Sequence, residues 1–368
     1  MTRILVVEPA GGLWGSERAL LDLIQGCPQL DWAVCCPPRT PLLAELQRRG
    51  VPRFPWFGEH LHLRSRLRRA EAALGVLRAC LAFAPQAVHL NQSGAWRVVR
   101  PAAALLDLPV SCHVRIFEDA AYLAGCGPSP RRLRAIIAIS AAVERELRRY
   151  PRLDSIPVHR ILDSYGCGEP PPHRPRRGIA CIGRITPIKG QELLLQAMAQ
   201  PGPHQQAGCL IIGSGDPQHV ASLQAAGPAG IRWLGYAADV PRLLRRVAVL
   251  ALPSWREPLG RVILEAWDAG VIPVVFSGSG GAAEIVTAAE AGIIYHEQTA
   301  VALAAALTAA LQLPDRERSR LIAKGRRWLR SHCDPQRQGE RIRAVLDPVR
   351  ATPARLPRDP VGKRDAGL

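Results

Sequence analysis

Lysine is nearly missing from this 368-residue chain: it occurs only at Lys189, Lys324 and Lys363, although lysine and arginine together number 48. The positive charge is therefore arginine, and with 31 acidic residues the formal net charge is +17. Arg-, Ala- and Pro-rich usage fits GC-rich coding. It fits equally an attraction to anions such as phosphorylated substrates, anionic lipid or nucleic acid. Aromatic residues make up only 5% and no RNA- or DNA-binding module is visible, which speaks against a nucleic-acid partner. No apolar run reaches the ~18 residues that a membrane span needs. The opening MTRILVVEPAGG is too short and too valine-rich for a signal peptide and reads as a first strand. Ten cysteines contain no C-x-x-C pair, so a clustered zinc site is excluded. Several, including Cys35, Cys112, Cys181 and Cys209, lie in apolar runs and read as buried free thiols of a cytosolic protein. A Walker A loop, a G-x-S-x-G elbow and an H-E-x-x-H helix are all absent. GSGDPQ at Gly213 lacks the third glycine of a dinucleotide fingerprint, and it does not follow the first strand.

What is present is ample for real cores. The chain is 48% hydrophobic, and its length suggests two domains. Ile4 to Val7 reads as a buried parallel strand. GGLWGSERALLDLI follows as a glycine turn, with Ser16 as helix N-cap and Ala19, Leu20, Leu23 and Ile24 on the apolar face. Strand, glycine turn and helix open a doubly wound α/β domain. Short apolar runs recur at WAVCCP, QAVHLN, VSCHVR and AIIAIS, with helical patterns between them. A Pro/Gly/Arg stretch then breaks the composition, and the alternation restarts through IACIGRI, GCLIIGSG, IRWLG, VAVLALPS, VIPVVFS and GIIYH. The expected organisation is an N-terminal domain over 1–165, a linker over 166–178 and a second domain over 179–334. A C-terminal helix over 335–347 would return to the first domain, and 348–368 would be a disordered tail. Two such domains make a cleft, and ligands of open α/β sheets bind beyond the carboxyl ends of the strands.

The residues placed there carry charge. In IACIGRITPIKGQ, Arg184 and Lys189 follow a strand and precede a helix. A planar fork of donors and a compact cation suit a diphosphate; a solvated basic loop is the plain alternative. In SWREPLGRVILEAWDAGVIPVVFS, Pro258 fits a first helical turn and Gly270 its stop. Glu257 then lies in the loop before the helix and Glu265 near its middle. The amides around Leu259, Gly260 and Arg261 lack intrahelical partners and form an anion site. A carboxylate accepts from paired hydroxyls, so a ribose and a sugar are natural partners. A capping Glu257 and a solvated Glu265 are the plain alternatives.

Taken in order, these motifs with LIIGSGDP, IRWLGY and SGSGGAAEIV resemble the nucleotide-sugar-binding half of retaining GT-B glycosyltransferases, specifically glycosyltransferase family 4. The match runs from Gly178 to about Leu311. The resemblance implies an α/β GT-B fold, two Rossmann-like domains facing across a cleft. It implies that Arg184, Lys189 and the backbone at Leu259 and Gly260 meet the donor diphosphate, with Gly12 of the first glycine turn approaching it. Glu257 would face the donor sugar, Glu265 would hold the ribose, and Gly235 and Tyr236 would pass near the base. Gly280, Gly281 and Glu284 carry the Gly-Gly-x-x-Glu pattern, as a turn and capped helix as much as a contact. His89 and Asn91, and His113, lie after strands, and His113 is the candidate for touching the transferred sugar, with Glu257 its catalytic companion. Departures are Leu259 where an aromatic is usual, Arg261 where a small apolar residue is usual, and LDSYGCGE where Asn-Gly-Val-Asp is familiar.

The implied activity is transfer of a sugar, with retention, from a nucleotide diphosphate-sugar to a hydroxyl of a glycan or lipid-linked acceptor. A UDP- or GDP-sugar is the expected donor, and polysaccharide or glycolipid biosynthesis the expected setting. No cofactor and no metal are expected, since Asp-x-Asp is absent. The alternatives are a non-catalytic GT-B-like protein, or a basic protein binding nucleic acid or a membrane surface. HLHLRSRLRRAEAALGVLRAC, with Arg64, Arg66, Arg68, Arg69 and Arg78 among Leu63, Leu67 and Leu74, is either a solvated helix face or a basic amphipathic segment resting on anionic lipid. The expected location is cytoplasmic, with peripheral contact at the inner face of the membrane.

Overall fold

The computed structural model describes residues 1–56, 66–170, 176–237 and 239–347. It divides into two compact units, one built from Met1–Gly166 and Cys333–Leu368, the other from Cys167–His332. The expected tail 348–368 lies outside the described residues, as do the middle of the expected linker and Leu63 and Arg64.

The first unit holds seven parallel strands: β1 (Thr2–Val7), β2 (Leu30–Cys36), β3 (Arg53–Pro55), β4 (Ala87–Leu90), β5 (Val110–Val114), β6 (Leu133–Ala138) and β7 (Val158–Arg160). Their order is β3-β2-β1-β4-β5-β6-β7. The central strands are almost wholly buried, as a parallel sheet covered on both faces requires, which is why ILVV, WAVCC and IIA read as continuous apolar runs. The edge strands β3 and β7 span three residues each, RFP and VHR, and are mostly half-buried; each carries an arginine and leaves no apolar run in the sequence. The helix Pro335–Leu346 packs on the helix Gly15–Gly26. Two glycines permit the approach: a Cβ at Gly339 would lie 2.1 Å from the Gly26 carbonyl oxygen, and one at Gly26 would lie 2.3 Å from that of Pro335. Ile342 and Leu346 of this helix join Leu20, Leu23 and Trp32 in one core.

The second unit holds six parallel strands: β8 (Ile179–Ile182), β9 (Cys209–Ile212), β10 (Ile231–Gly235), β11 (Val249–Leu252), β12 (Ile272–Phe276) and β13 (Ile293–Tyr295). Their order, β10-β9-β8-β11-β12-β13, repeats the winding of the first unit. The order reverses between β1 and β4 in one sheet and between β8 and β11 in the other. These switch points are where loops part and a crevice opens at the carboxyl ends.

Three local readings change. Ser16 is not the N-cap: the helix begins at Gly15 after Trp14, whose N–H donates to the Glu17 carboxylate at 3.0 Å. Pro258 is not in the first turn, because the following helix runs Arg261–Ala269 and is capped by Gly260. His89 and His113 lie within β4 and β5 rather than after them. All ten cysteines are free thiols, eight of them buried. Among the described residues no helix is long and apolar enough to cross a membrane.

Candidate functional site

In the second unit the loop after β8 carries Arg184 and Lys189, and the loop after β11 carries Glu257. Contacts between the two loops pin them together. The Trp255 N–H donates to the Ile188 carbonyl at 2.9 Å. Gly190 has φ of 71° and lies so near the neighbouring loop that a Cβ would meet the Pro253 carbonyl oxygen at 2.2 Å. Only glycine satisfies both the left-handed backbone and the close approach, which explains why the Lys-Gly step matters. The result is an ion pair, Lys189 Nζ to Glu257 Oε2 at 2.6 Å, with Glu257 almost buried and Lys189 about a quarter exposed. Ser254 Oγ donates to the same oxygen at 3.1 Å. Glu257 Oε1 has no partner among the described residues.

The backbone of Glu257 is gripped by the SGSGG turn. Its N–H donates to the Ser279 carbonyl at 2.6 Å and its carbonyl accepts from Gly281 at 2.8 Å. Gly280, Gly281 and the helix Gly281–Ala289 therefore hold Glu257 in place through the backbone. Gly260, with φ of 79°, caps the helix that bears Glu265. Glu265 is buried, so it is not a solvated helix residue. Trp267 anchors the same helix, donating to the Ala291 carbonyl at 2.7 Å and meeting Trp328 edge-on at 5.4 Å. Leu259 is buried beside the cap. Arg184 is exposed, and its side chain has no partner among the described residues. Gly235 ends the edge strand β10, and Tyr236 beyond it is 46% exposed. The structure thus joins Lys189 to Glu257, and it does not place Arg184, Glu265 or Tyr236 in contact with that pair.

In the first unit a buried polar network lies at the carboxyl ends of β1, β4 and β5. Glu8 follows β1; its carboxylate accepts from Ala10 N at 2.7 Å, from Gln92 Nε2 at 2.8 Å and from Asn91. It therefore ties down the start of the loop that carries Gly11 and Gly12. Burial, and then the charge of Glu17, push the Glu8 carboxyl up to about 8, against its hydrogen bond from Asn91. Arg115 bridges Asp163 at 2.5 Å and donates to the Asn91 side chain at 3.0 Å. Asp119 accepts from Ser93 and from Arg115 N, and burial raises its carboxyl. His89 is wholly buried and His113 nearly so, Nε2 of the first lying 2.8 Å from Nδ1 of the second. Burial, and then Arg115, press His89 down to about 3, and His113 moves in the same direction. Sequence reading missed Glu8, Arg115, Asp119 and Asp163. Glu8 and Arg115 each left a signal, a charge directly after a buried strand. Among the described residues no three His, Cys, Asp or Glu side chains come together as a metal site.

Residues 172–328 match the family model of glycosyl transferases group 1. Over 179 residues the chain is 30% identical to spore coat protein SA of Bacillus subtilis, covering 45% of this chain and 47% of that protein. It is 32% identical over 179 residues to the GDP-mannose-dependent monoacylated alpha-(1-6)-phosphatidylinositol monomannoside mannosyltransferase of Corynebacterium glutamicum, covering 46% of each. The chain spans about half the length of the curated relatives it matches. Among solved structures, HepE of Anabaena in complex with UDP and glucose superposes with a TM-score of 0.79 at 20% identity, over 94% of this chain and 99% of that one. Sucrose-phosphate synthase of Thermosynechococcus elongatus follows at 0.73 and 18%, over 93% and 97%. The two parallel sheets with their common winding agree with these solved structures: the chain has the GT-B fold, and residues 172–328, less than half of it, match the model of glycosyl transferases group 1.

Proposed function

We propose that the protein is a retaining, metal-independent glycosyltransferase that moves a sugar from a nucleotide diphosphate-sugar to a hydroxyl of a glycan or lipid-linked acceptor, in polysaccharide or glycolipid biosynthesis. The observation that carries this reading is the Lys189–Glu257 pair within the family-matched segment. Lys189 has three N–H donors and gives one to Glu257, so two remain for diphosphate oxygens. Glu257 keeps Oε1 for a hydroxyl of the donor sugar. Arg184 and the amides at Leu259 and Gly260 complete the diphosphate contacts, with Gly12 approaching it. Glu265 takes the ribose, Gly235 and Tyr236 flank the base, and His113 touches the transferred sugar. As the glycosidic bond breaks, negative charge grows on the leaving diphosphate, and fixed cations and amides stabilise it where it develops. The acceptor oxygen attacks from the same face, and the leaving phosphate takes its proton.

The Corynebacterium relative is GDP-mannose-dependent by name and the HepE structure holds UDP, which supports a UDP- or GDP-sugar as the proposed donor. A thermal-shift panel with UDP, GDP, ADP, dTDP and NAD tests this. One nucleoside diphosphate raises Tm, and Lys189→Ala abolishes the shift. If no nucleotide moves Tm, the reading fails.

A peripheral membrane contact is the companion proposal for the acceptor side. On the helix Arg66–Phe83, Leu67, Leu74 and Leu81 are exposed at seven-residue spacing, with Arg66, Arg68 and Arg78 beside them. Residues seven apart share one helix face. Apolar side chains rimmed by arginine suit an anionic lipid surface. Vesicles rich in anionic lipid bind the wild type at low salt and bind a triple Leu67, Leu74 and Leu81→Ser variant several-fold less; equal binding overturns it.

A further inference from the structure

Register places three polar side chains on one face of the first sheet. His89 of β4 pairs with Ser111 of β5, and His113 stands two residues beyond Ser111, on the same face. The side chains form a chain: Ser111 Oγ to His89 Nδ1 at 2.9 Å, then His89 Nε2 to His113 Nδ1 at 2.8 Å. Its ends differ. Ser111 is buried, and its hydroxyl has His89 Nδ1 as its one partner among the described residues. His113 Nε2 has no partner among them.

A neutral imidazole carries one N–H and one bare nitrogen, so each link has a direction. Were His89 Nδ1 the donor, the Ser111 hydroxyl would accept and its own hydrogen would be left without an acceptor in a buried site. A buried donor left unsatisfied in this way is disfavoured. With Ser111 donating, His89 Nδ1 is bare, Nε2–H donates onward, His113 Nδ1 is bare, and His113 carries its hydrogen on Nε2. Burial and the charge of Arg115 keep both rings neutral, which preserves the chain's direction.

We infer that Ser111, acting through His89, fixes His113 in its Nε2–H form, so that the outer nitrogen of His113 is a hydrogen-bond donor and never an acceptor or base. Ser111 and His89 are positioning residues. On the glycosyltransferase reading above, on which this functional consequence rests, His113 donates to an oxygen of the transferred sugar and takes no proton from the acceptor.

Long-range 1H–15N spectra of the full chain, labelled with 15N-histidine, test this directly near neutral pH. His89→Gln and His113→Gln assign the resonances. The expected result is that both rings are neutral, with hydrogen on Nε2 and a bare Nδ1. In Ser111→Ala the His89 and His113 signals move towards a mixture of the two forms, and Ser111→Thr restores the single form. Hydrogen on Nδ1 of His113, an imidazolium, or a Ser111→Ala spectrum identical to wild type overturns the inference. These spectra do not depend on turnover. Nε2–H forms in a protein that transfers no sugar would defeat the functional reading while leaving the relay standing. If transfer occurs, Ser111→Ala lowers kcat several-fold more than it changes the donor KM, and Ser111→Thr recovers it.

Discussion

Lys189 meets its counter-charge before any ligand arrives. The two residues are 68 positions apart, and sequence reading assigned both to ligand contacts without joining them. What joins them is backbone: Gly190 against Pro253, and Trp255 N–H on Ile188. Gly190→Ala therefore combines a left-handed backbone, worth roughly 1–3 kcal/mol for a non-glycine residue, with a clash that pushes the loops apart. Tm falls and the nucleotide-induced shift weakens together; a normal shift on a stable Gly190→Ala protein would remove the link between this close approach and binding. Arg115 offers a second residue-scale test. Its pair with Asp163 is almost wholly buried, at 6% and 7% side-chain exposure. Removing one partner of such a pair costs about 3–5 kcal/mol, so Arg115→Met lowers unfolding free energy by that order in urea titrations. No sequence pattern announces this pair, since the partners are 48 residues apart and lie in different segments.

At the level of elements, the helix Arg261–Ala269 is the part whose placement matters most to the donor site. Its start is set by Gly260 and its position by Trp267, which sits over Gly325 and against Trp328. Trp267→Ala leaves a cavity and a lost hydrogen bond, for a cost of about 3–5 kcal/mol. Differential scanning calorimetry should show that loss in the transition of the second unit, with the first unit unchanged. Glycine was legible as a helix stop at Gly270, but Pro258 misled, because the chain makes a further turn before the helix begins. The central strands were legible, β1, β2 and β6 because burial on both faces writes continuous apolar runs, β4 and β5 although His89, Ser111 and His113 interrupt theirs. β3 and β7 were not, because RFP and VHR each carry an arginine and write no apolar run, whereas the equally short β13, IIY, does. The histidine chain shows why a site can be only half visible: His89 and His113 stand out as letters, but Ser111 gains meaning only from the β4–β5 register.

For the molecule as a whole, opposing titrations shape stability. His89 takes a proton near pH 6.5 when unfolded and only near pH 3 when folded, so acid below 6.5 favours the unfolded chain. His113 adds to this in the same direction. Glu8 works oppositely: the folded chain keeps its proton up to about 8, so stability is lost as pH rises from the ordinary carboxylate range to that value. His159, also pressed down by burial, sides with the other two histidines, and Asp119, pushed up by burial, sides with Glu8; above the ordinary histidine range Glu8 still holds its proton up to about 8. Urea unfolding across pH should show a stability maximum near 6.5, and the decline on its alkaline side should vanish in Glu8→Gln. Charge at this scale was legible only as a sum; which carboxyl and which imidazoles are buried was not, because burial belongs to the fold.

The first unit is made of two stretches of chain, with the whole second unit spliced between them. As the polypeptide leaves the ribosome, the helix Gly15–Gly26 is made before the second unit, yet the helix that covers it, Pro335–Leu346, is made only after that unit. The second unit, being continuous, can close while synthesis is still under way. The first must wait with Leu20, Leu23 and Trp32 uncovered until the helix Pro335–Leu346 has been made. Newly made chains are therefore most exposed to chaperone capture on the uncovered face of the helix Gly15–Gly26.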